Sequence, residues 1–239
     1  SGPPLVSSAL GGSDAVFVAA GITSLNYVLM GKPGVKTIEQ LKGGTLAISR
    51  FGSATDSIAR FALKRVGLTV GKDVTLIQVG SGPERLGALQ TGRVTAAVIN
   101  PPSSFIAEKR GMAVLADVAQ MGLVFQHTGA ATSRRYIREH NDTVRRYVRA
   151  HVEAVHKMWT DKEATIRALQ KYMGGGLDRE ILEKSRDNVM HETLYPKKQY
   201  PSLEGIKKIL EPLGETDPKA KAAKPEDFVD MRFIKELDD

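Results

Sequence analysis

The stretch Ile48-Ser49-Arg50-Phe51-Gly52-Ser53-Ala54-Thr55-Asp56-Ser57 gathers hydroxyl side chains, a glycine and small residues where an apolar run ends. Ser53 and Thr55 supply hydroxyl donors, and a helix that begins here leaves its first backbone N–H groups without intrahelical partners. Such donors hold an anion. The same residues, Ser53, Thr55 or Asp56, also serve as ordinary helix caps, and the two uses are compatible. A second stretch, VGSGPERLGAL from Val79 to Leu89, is rich in glycine. It has neither the Lys-Ser/Thr ending of a P-loop nor the glycine spacing of a dinucleotide fingerprint, which argues against a nucleotide. A third, Asn100-Pro101-Pro102-Ser103-Ser104, sets two prolines directly after an apolar run. That makes a stiff turn, able to hold Asn100 at a cleft rim or to act simply as a connector.

Catalytic chemistry is poorly served by these loops. They offer hydroxyls, amides and Asp56, with no paired histidine or second carboxylate to act as acid and base. The absence of cysteine excludes disulfides, thiol catalysis and cysteine metal sites. His127 has no histidine or carboxylate at metal-ligand spacing. His151 falls on an apolar stripe between Val148 and Val155, where a hydrogen-bonded core histidine is the expectation. The sequence thus predicts no enzyme, no cofactor and no metal. Arg134, Arg135, Arg138, Arg145, Arg146 and Arg149 recur at helical spacing with Glu139 and Asp142 nearby. They read as a solvated face and not as a nucleic-acid surface, since no aromatic stacking platform accompanies them. Arg85, near a helix start, either pairs with an acidic neighbour or reaches a carboxylate ligand; the structural role is preferred.

The elements that must position these loops follow from periodicity. TIEQLKGG closes as a short helix on two glycines, and TLAIS, DVTLIQVG, VTAAVIN and MAVLAD read as strands. Between them, Ile58, Phe61, Ala62 and Val66 mark one amphipathic helix, with PERLGALQTG and SSFIAEKRG as two more. Strands apolar on both faces alternating with helices predict a doubly wound parallel α/β sheet, whose ligands bind beyond the strands' carboxyl ends. The loops Arg50 to Asp56, Gly80 to Glu84 and Asn100 to Ser104 all lie there. Before this unit, DAVFVAAG and SLNYVLMG read as strands; after it the chain is largely helical, with Val144, Val148, Val152, Val155 and Trp159 on one face of a long helix. DPKAKAAKPED reads as a solvated linker.

The 239 residues, 41% hydrophobic and 26% charged, suffice for one large core or two modest ones. Lys and Arg total 34 against 27 Asp and Glu, and the net +7 favours anionic ligands or an acidic partner surface. No run approaches the roughly 18 apolar residues of a membrane span. The opening SGPPLVSSAL lacks the basic flank of a signal peptide.

Five pieces in order, GPPLVSSALGGSDAVFVA, IEQLKGGTLAISRFGSATD, ALKRVGLTVGKDVTLIQVG, RLGALQTGRVTAAVINPP and DTVRRYVRAHVEAVHKMW, carry a resemblance. The chain resembles periplasmic substrate-binding proteins of ABC transporters, in the nitrate, sulfonate and taurine group that includes the binders of thiamine-pyrimidine precursors. The resemblance implies a two-lobed, type 2 periplasmic-binding-protein-like α/β fold with a small ligand trapped between the lobes. Crossing segments near Tyr27 to Val35 and Gln120 to Gly129 would make residues 36–119 lobe 2, and residues 1–35 with 120–239 lobe 1. Family members begin with strand and helix units ahead of the segment matching GPPLV. The first lobe is therefore expected to be incomplete, to expose a sheet edge and to self-associate.

Carried onto this chain, the resemblance assigns ligand contacts to Phe51, Gly52, Ser53, Ala54 and Thr55, to Asn100 and Pro101 on a second-lobe loop, and to Pro3 and Pro4 on the first lobe. The implied ligand is a sulfonate, nitrate or carboxylate on the helix-start donors, or a flat pyrimidine-like ring against Phe51 and Tyr27. The implied partner is an ABC permease, without nucleic acid, at a periplasmic or externally anchored bacterial location. An enzyme of thiamine-pyrimidine or menaquinone precursor synthesis, and the effector half of a LysR-type regulator, share this architecture and are the alternatives.

Overall fold

The computed structural model describes residues 1–121, 124–173 and 176–238. Helix α1 (Gly2–Leu10) leads into strands β1 (Ala15–Ala20) and β2 (Val28–Gly31). Then follow β3 (Gly44–Ile48), α2 (Ala54–Arg65), β4 (Val74–Gln78), α3 (Gly82–Gln90), β5 (Ala96–Ile99), α4 (Ser103–Lys109) and β6 (Val114–Asp117). Strand β7 (Gly129–Ser133) opens the helical part: α5 (Arg134–Glu139), α6 (Asn141–Thr160), α7 (Lys162–Met173) and α8 (Arg179–Val189). It ends in α9 (Leu203–Leu213), α10 (Pro218–Ala222) and α11 (Arg232–Asp238).

The chain divides into two compact units, one made of 1–25, 124–175 and 189–239, the other of 26–123 and 176–188. Gly122 and Leu123, within the second expected crossing, lie outside the described residues.

In the first unit β1 and β7 pair antiparallel, with an irregularity between Phe17 and Ala19. Val16, Val18 and Ala19 of β1 share a core with Ile137 of α5, Val144 and Val148 of α6, and Phe233 and Ile234 of α11. Val144, Val148 and Val155 are the buried residues of α6, the stripe its spacing predicts. His151 on that helix reaches the Ala20 carbonyl at 2.7 Å and Gln199 Oε1 at 3.1 Å, a hydrogen-bonded structural histidine. Residues 217–227, read as a linker, instead form α10 and a 3₁₀ turn that runs on to Phe228, with Ala220 and Phe228 buried. Asp217 accepts the Lys219 N–H at 2.9 Å and Pro218 presets the first turn, so local capping outweighs the polar composition.

The second unit holds a five-stranded sheet in the order β4-β3-β5-β2-β6. Strands β4, β3 and β5 run parallel, while β2 lies antiparallel to both β5 and β6. The sheet is mixed where a wholly parallel one was expected. Leu29 and Met30 are fully buried, which fits the interior place of β2, while its antiparallel direction is set by its pairing with β5 and β6. Met30, Ala47, Leu86, Leu89, Val98's neighbours Ala97 and Ile99, and Ala107 form the core between sheet and helices.

Candidate functional site

Strands β3 and β4 are in register from Gly44 opposite Val74 to Ile48 opposite Gln78, so they end level with each other. The two following loops therefore start side by side. The pairing continues one step past the strands, where Val79 N–H donates to the Ile48 carbonyl at 2.9 Å and Gly80 N–H to the Ser49 carbonyl at 3.2 Å. Phe51 N–H donates to Gln78 Oε1 at 2.7 Å, binding the first loop to the end of β4 again. The third loop, after β5, meets the second: a Cβ placed on Gly82 would lie 3.2 Å from Ser103 Oγ. All three loops thus gather at the carboxyl ends of the parallel strands.

Within the first loop three hydroxyls form a triangle. Ser49 Oγ is 2.9 Å from Ser53 Oγ and 2.8 Å from Thr55 Oγ1, and the latter two are 2.9 Å apart. Ser53 Oγ donates to the Arg50 carbonyl at 2.7 Å, and Thr55 Oγ1 accepts the Ser49 N–H at 2.9 Å. With one hydroxyl proton committed to Arg50, the remaining two are enough to join the triangle, so the hydroxyls satisfy one another. Ser53 and Thr55 are correspondingly buried, 8% and 3% exposed.

The capping role expected of this loop is only half filled. Ser53 stands at the N-cap of α2 but makes no cap bond, because its hydroxyl faces Arg50. Asp56 reaches back instead, accepting Gly52 N–H at 2.9 Å on one oxygen and Arg60 Nε at 2.8 Å on the other. The N–H groups of Ala54, Thr55 and Asp56, at the first positions of a 12-residue helix, have no acceptor among the described residues. These are the donors that an anion would take, with the positive end of the helix dipole behind them. Gly52 makes the turn with φ +72°, and Phe51 stands at its tip with half its surface, 53%, exposed.

The second loop is held rigidly. Ser81 caps α3 and Glu84 accepts the Ser81 N–H at 2.6 Å, a reciprocal capping box. Gly80 has φ +103°, and a Cβ there would run into the Glu84 carboxylate. From the first turn of α3 the Arg85 side chain turns inward and is 3% exposed. Its Nε donates to the Val98 carbonyl at 2.7 Å and its Nη1 to the Gly80 carbonyl. Burial lowers the Arg85 guanidinium below its ordinary value, and burial raises the Tyr27 phenol, opposed there by the Arg85 charge. In the third loop Asn100 is half-buried, gives its carbonyl to Ser104 N–H at 3.1 Å, and makes no side-chain hydrogen bond among the described residues. Pro101 is likewise half-buried, ahead of the buried Ser103 and Ser104.

The structure therefore brings together Phe51, Gly52, Ser53, Ala54 and Thr55 with the Gly80 loop and the Asn100–Pro101 turn. Pro3 and Pro4 belong to the other unit, where they form the first turn of α1 and not a loop. Sequence reasoning missed Ser49 and Gln78. Their signal is positional, since each is the last strand residue or the first after it on neighbouring parallel strands.

Residues 5–174 match the family model described as the NMT1-like family. No curated protein matches. Among solved structures, one from Bordetella bronchiseptica RB50 is 20% identical with a TM-score of 0.80, covering 99% of this chain and 78% of that one. A ligand-binding component of an ABC-type import system from Staphylococcus aureus, with zinc bound, is 18% identical with a TM-score of 0.74, covering 98% and 78%. The alkanesulfonate-binding protein from Xanthomonas axonopodis pv. citri, bound to MOPS, is 21% identical with a TM-score of 0.70, covering 94% and 75%. Likeness at this identity establishes the fold, which is the α/β periplasmic-binding-protein-like one.

Proposed function

The chain belongs to the NMT1-like family, and from that premise we propose that it is the solute-binding component of an ABC importer, holding a small anionic solute without altering it. The observation that carries this reading is the set of free donors at Ala54, Thr55 and Asp56, aimed out of the start of α2 where three loops converge. The exposed Phe51 ring and the uncommitted Asn100 amide frame the same place with an apolar face and a polar group. Binding is favoured over catalysis because both carboxylates of these loops are engaged, Asp56 by Gly52 and Arg60, Glu84 by Ser81. Neither is left to take a proton from a substrate. The Staphylococcus and Xanthomonas proteins, an import-system component and an alkanesulfonate binder, support the same class. No helix among the described residues is long and apolar enough to cross a membrane. The solute-binding reading, and not the lack of such a helix, puts the protein on the periplasmic side, delivering its solute to a permease.

Native mass spectrometry of the protein isolated without refolding tests this. A small negative ion that stays with the native protein and leaves on denaturation is expected. Titration with the Ala54→Pro variant, which deletes one of the free N–H donors and leaves the hydroxyl triangle in place, then locates it, and unchanged affinity for that ion would remove the assignment of this loop.

A further inference from the structure

Arg85 is a charged side chain in a place where a charge needs a reason. It is almost wholly buried, yet among the described residues it forms no ion pair with a carboxylate. The nearest acid in sequence, Glu84, turns its carboxylate to the Ser81 N–H. The two acceptors that Arg85 does have are backbone carbonyls, Val98 on β5 and Gly80 after β4. Carbonyl dipoles orient a guanidinium and solvate part of it, and the Glu84 carboxylate attracts it from outside ion-pair distance, but no carboxylate pairs with it directly. Its Nη2 has no acceptor among the described residues and is not one of the sealed polar atoms, so an edge of the guanidinium still reaches accessible space.

The guanidinium is linked to the candidate site through one residue, which its Nη1 bonds. The Gly80 carbonyl accepts from Arg85, while the Gly80 N–H donates to the Ser49 carbonyl, whose own side chain belongs to the hydroxyl triangle. The donors at the start of α2 and the cation in the first turn of α3 therefore follow adjoining strand ends, which the Gly80 N–H joins to the Ser49 carbonyl. Buried charges persist where something of opposite sign completes them, and a planar fork of N–H groups matches two oxygens of one anionic group.

We infer that Arg85 is the charge-selecting residue of the site: the bound solute carries an oxyanion group, carboxylate, sulfonate or nitrate, that completes the guanidinium which the fold leaves without an ion-paired carboxylate. This rests on the solute-binding reading above and deepens it. It departs from the purely structural role that its place in the sequence suggests, because a residue acting only as a brace for Gly80 and Val98 would not distinguish charged from neutral solutes.

The experiment is a thermal-shift and calorimetric comparison of the whole chain with its Arg85→Gln and Arg85→Lys variants. The probes are acetate, methanesulfonate and nitrate, each beside a neutral counterpart where one exists: acetamide and dimethyl sulfone. The expected result is that at least one anion stabilises the parent chain and its neutral counterpart does not. Arg85→Gln should weaken that anion by about 30-fold or more, the size seen when one partner of a buried charge pair is truncated, and Arg85→Lys should restore part of the loss. Neutral probes binding as well as anions, or Arg85→Gln binding the anion as tightly as the parent, overturns the inference while leaving solute binding intact. No response of the parent chain to any probe overturns the inference as well, and a cargo found by native mass spectrometry would then show whether the binding reading itself survives. If Arg85→Gln does not fold, Tyr27→Phe and Arg85→Lys carry the test, since only a charge-selecting role changes the ratio of anion to neutral affinity in Arg85→Lys while Tyr27→Phe keeps it.

Discussion

Asp56 Oδ2 lies 2.9 Å from the Gly52 nitrogen, which ties the first turn of α2 back to the loop that precedes it. Its other oxygen holds Arg60 at 2.8 Å, one helical turn on. The carboxylate thus fixes the direction in which the free N–H groups of Ala54 and Thr55 point. Replacing Asp56 by Ala removes a helix-start acceptor in a buried setting, and stability should fall by about 1–2 kcal/mol. Urea denaturation measures this; Asp56→Asn, which keeps an acceptor for Gly52, should lose less.

Ala54→Pro separates donor from scaffold. Proline is well accepted at the first position of a helix, and Ser53 before it already has the extended conformation, φ −87° and ψ 172°, that a following proline requires. The substitution deletes one N–H that the fold does not use. Stability should stay within about 1 kcal/mol, while affinity for the bound anion drops by about tenfold, the worth of one charge-assisted hydrogen bond. Titration calorimetry beside a melting curve reads both. Equal loss in the two would mean that α2 has been disturbed.

Gly80→Ala should be costly out of proportion to its size. The backbone there has φ +103°, and the added methyl meets the Glu84 carboxylate that caps Ser81. A loss of about 1–3 kcal/mol is expected from conformational strain and the broken capping box. Because the Gly80 carbonyl also orients Arg85, anion affinity should fall in the same variant.

His127 sets a pH dependence in the first unit. Burial lowers its imidazole from 6.5 to about 4. Between those values the unfolded chain binds a proton that the folded chain refuses, so this contribution is fully present above pH 6.5 and is lost as pH falls towards 4. Below about 4 both states are protonated and no further loss occurs. The contribution is roughly 3 kcal/mol from the size of the shift. Denaturation midpoints taken from pH 8 to pH 4 should slope downwards on this account, and the slope should shrink in His127→Gln.

Much of the second unit was legible in the sequence because its strands and helices alternate at short range and each loop directly follows an apolar strand. The start of α2 is the clearest case: hydroxyls and a glycine at a strand end pointed to the place where the free donors stand. The buried face of that helix was read less well. Ile58 and Ala62 are buried as the spacing required, but Phe61 is only partly covered and Val66 is exposed, while Ala59 and Leu63 take the inner positions. Small residues carry a weak hydrophobic signal, yet they are what a helix packed close on a sheet admits. The placing of β2 was beyond local reading altogether. Its hydrogen bonds run to β5 and β6, strands far away along the chain, and nothing in VLMG specifies an antiparallel insertion between them. The inward turn of Arg85 was invisible for the same reason, since its acceptor on Val98 comes from another strand.

The core that joins Val16 and Val18 to Phe233 and Ile234 has a consequence for the order of events during synthesis. Strand β1 cannot bury these side chains until α11, which is made long after it, has emerged from the ribosome. Throughout translation β1 waits with an apolar face open, whereas β3, α2, β4, α3 and β5 can already assemble among themselves. The first unit is therefore the stage at which a nascent chain is most in need of a chaperone, and the stage most readily interrupted by a premature stop.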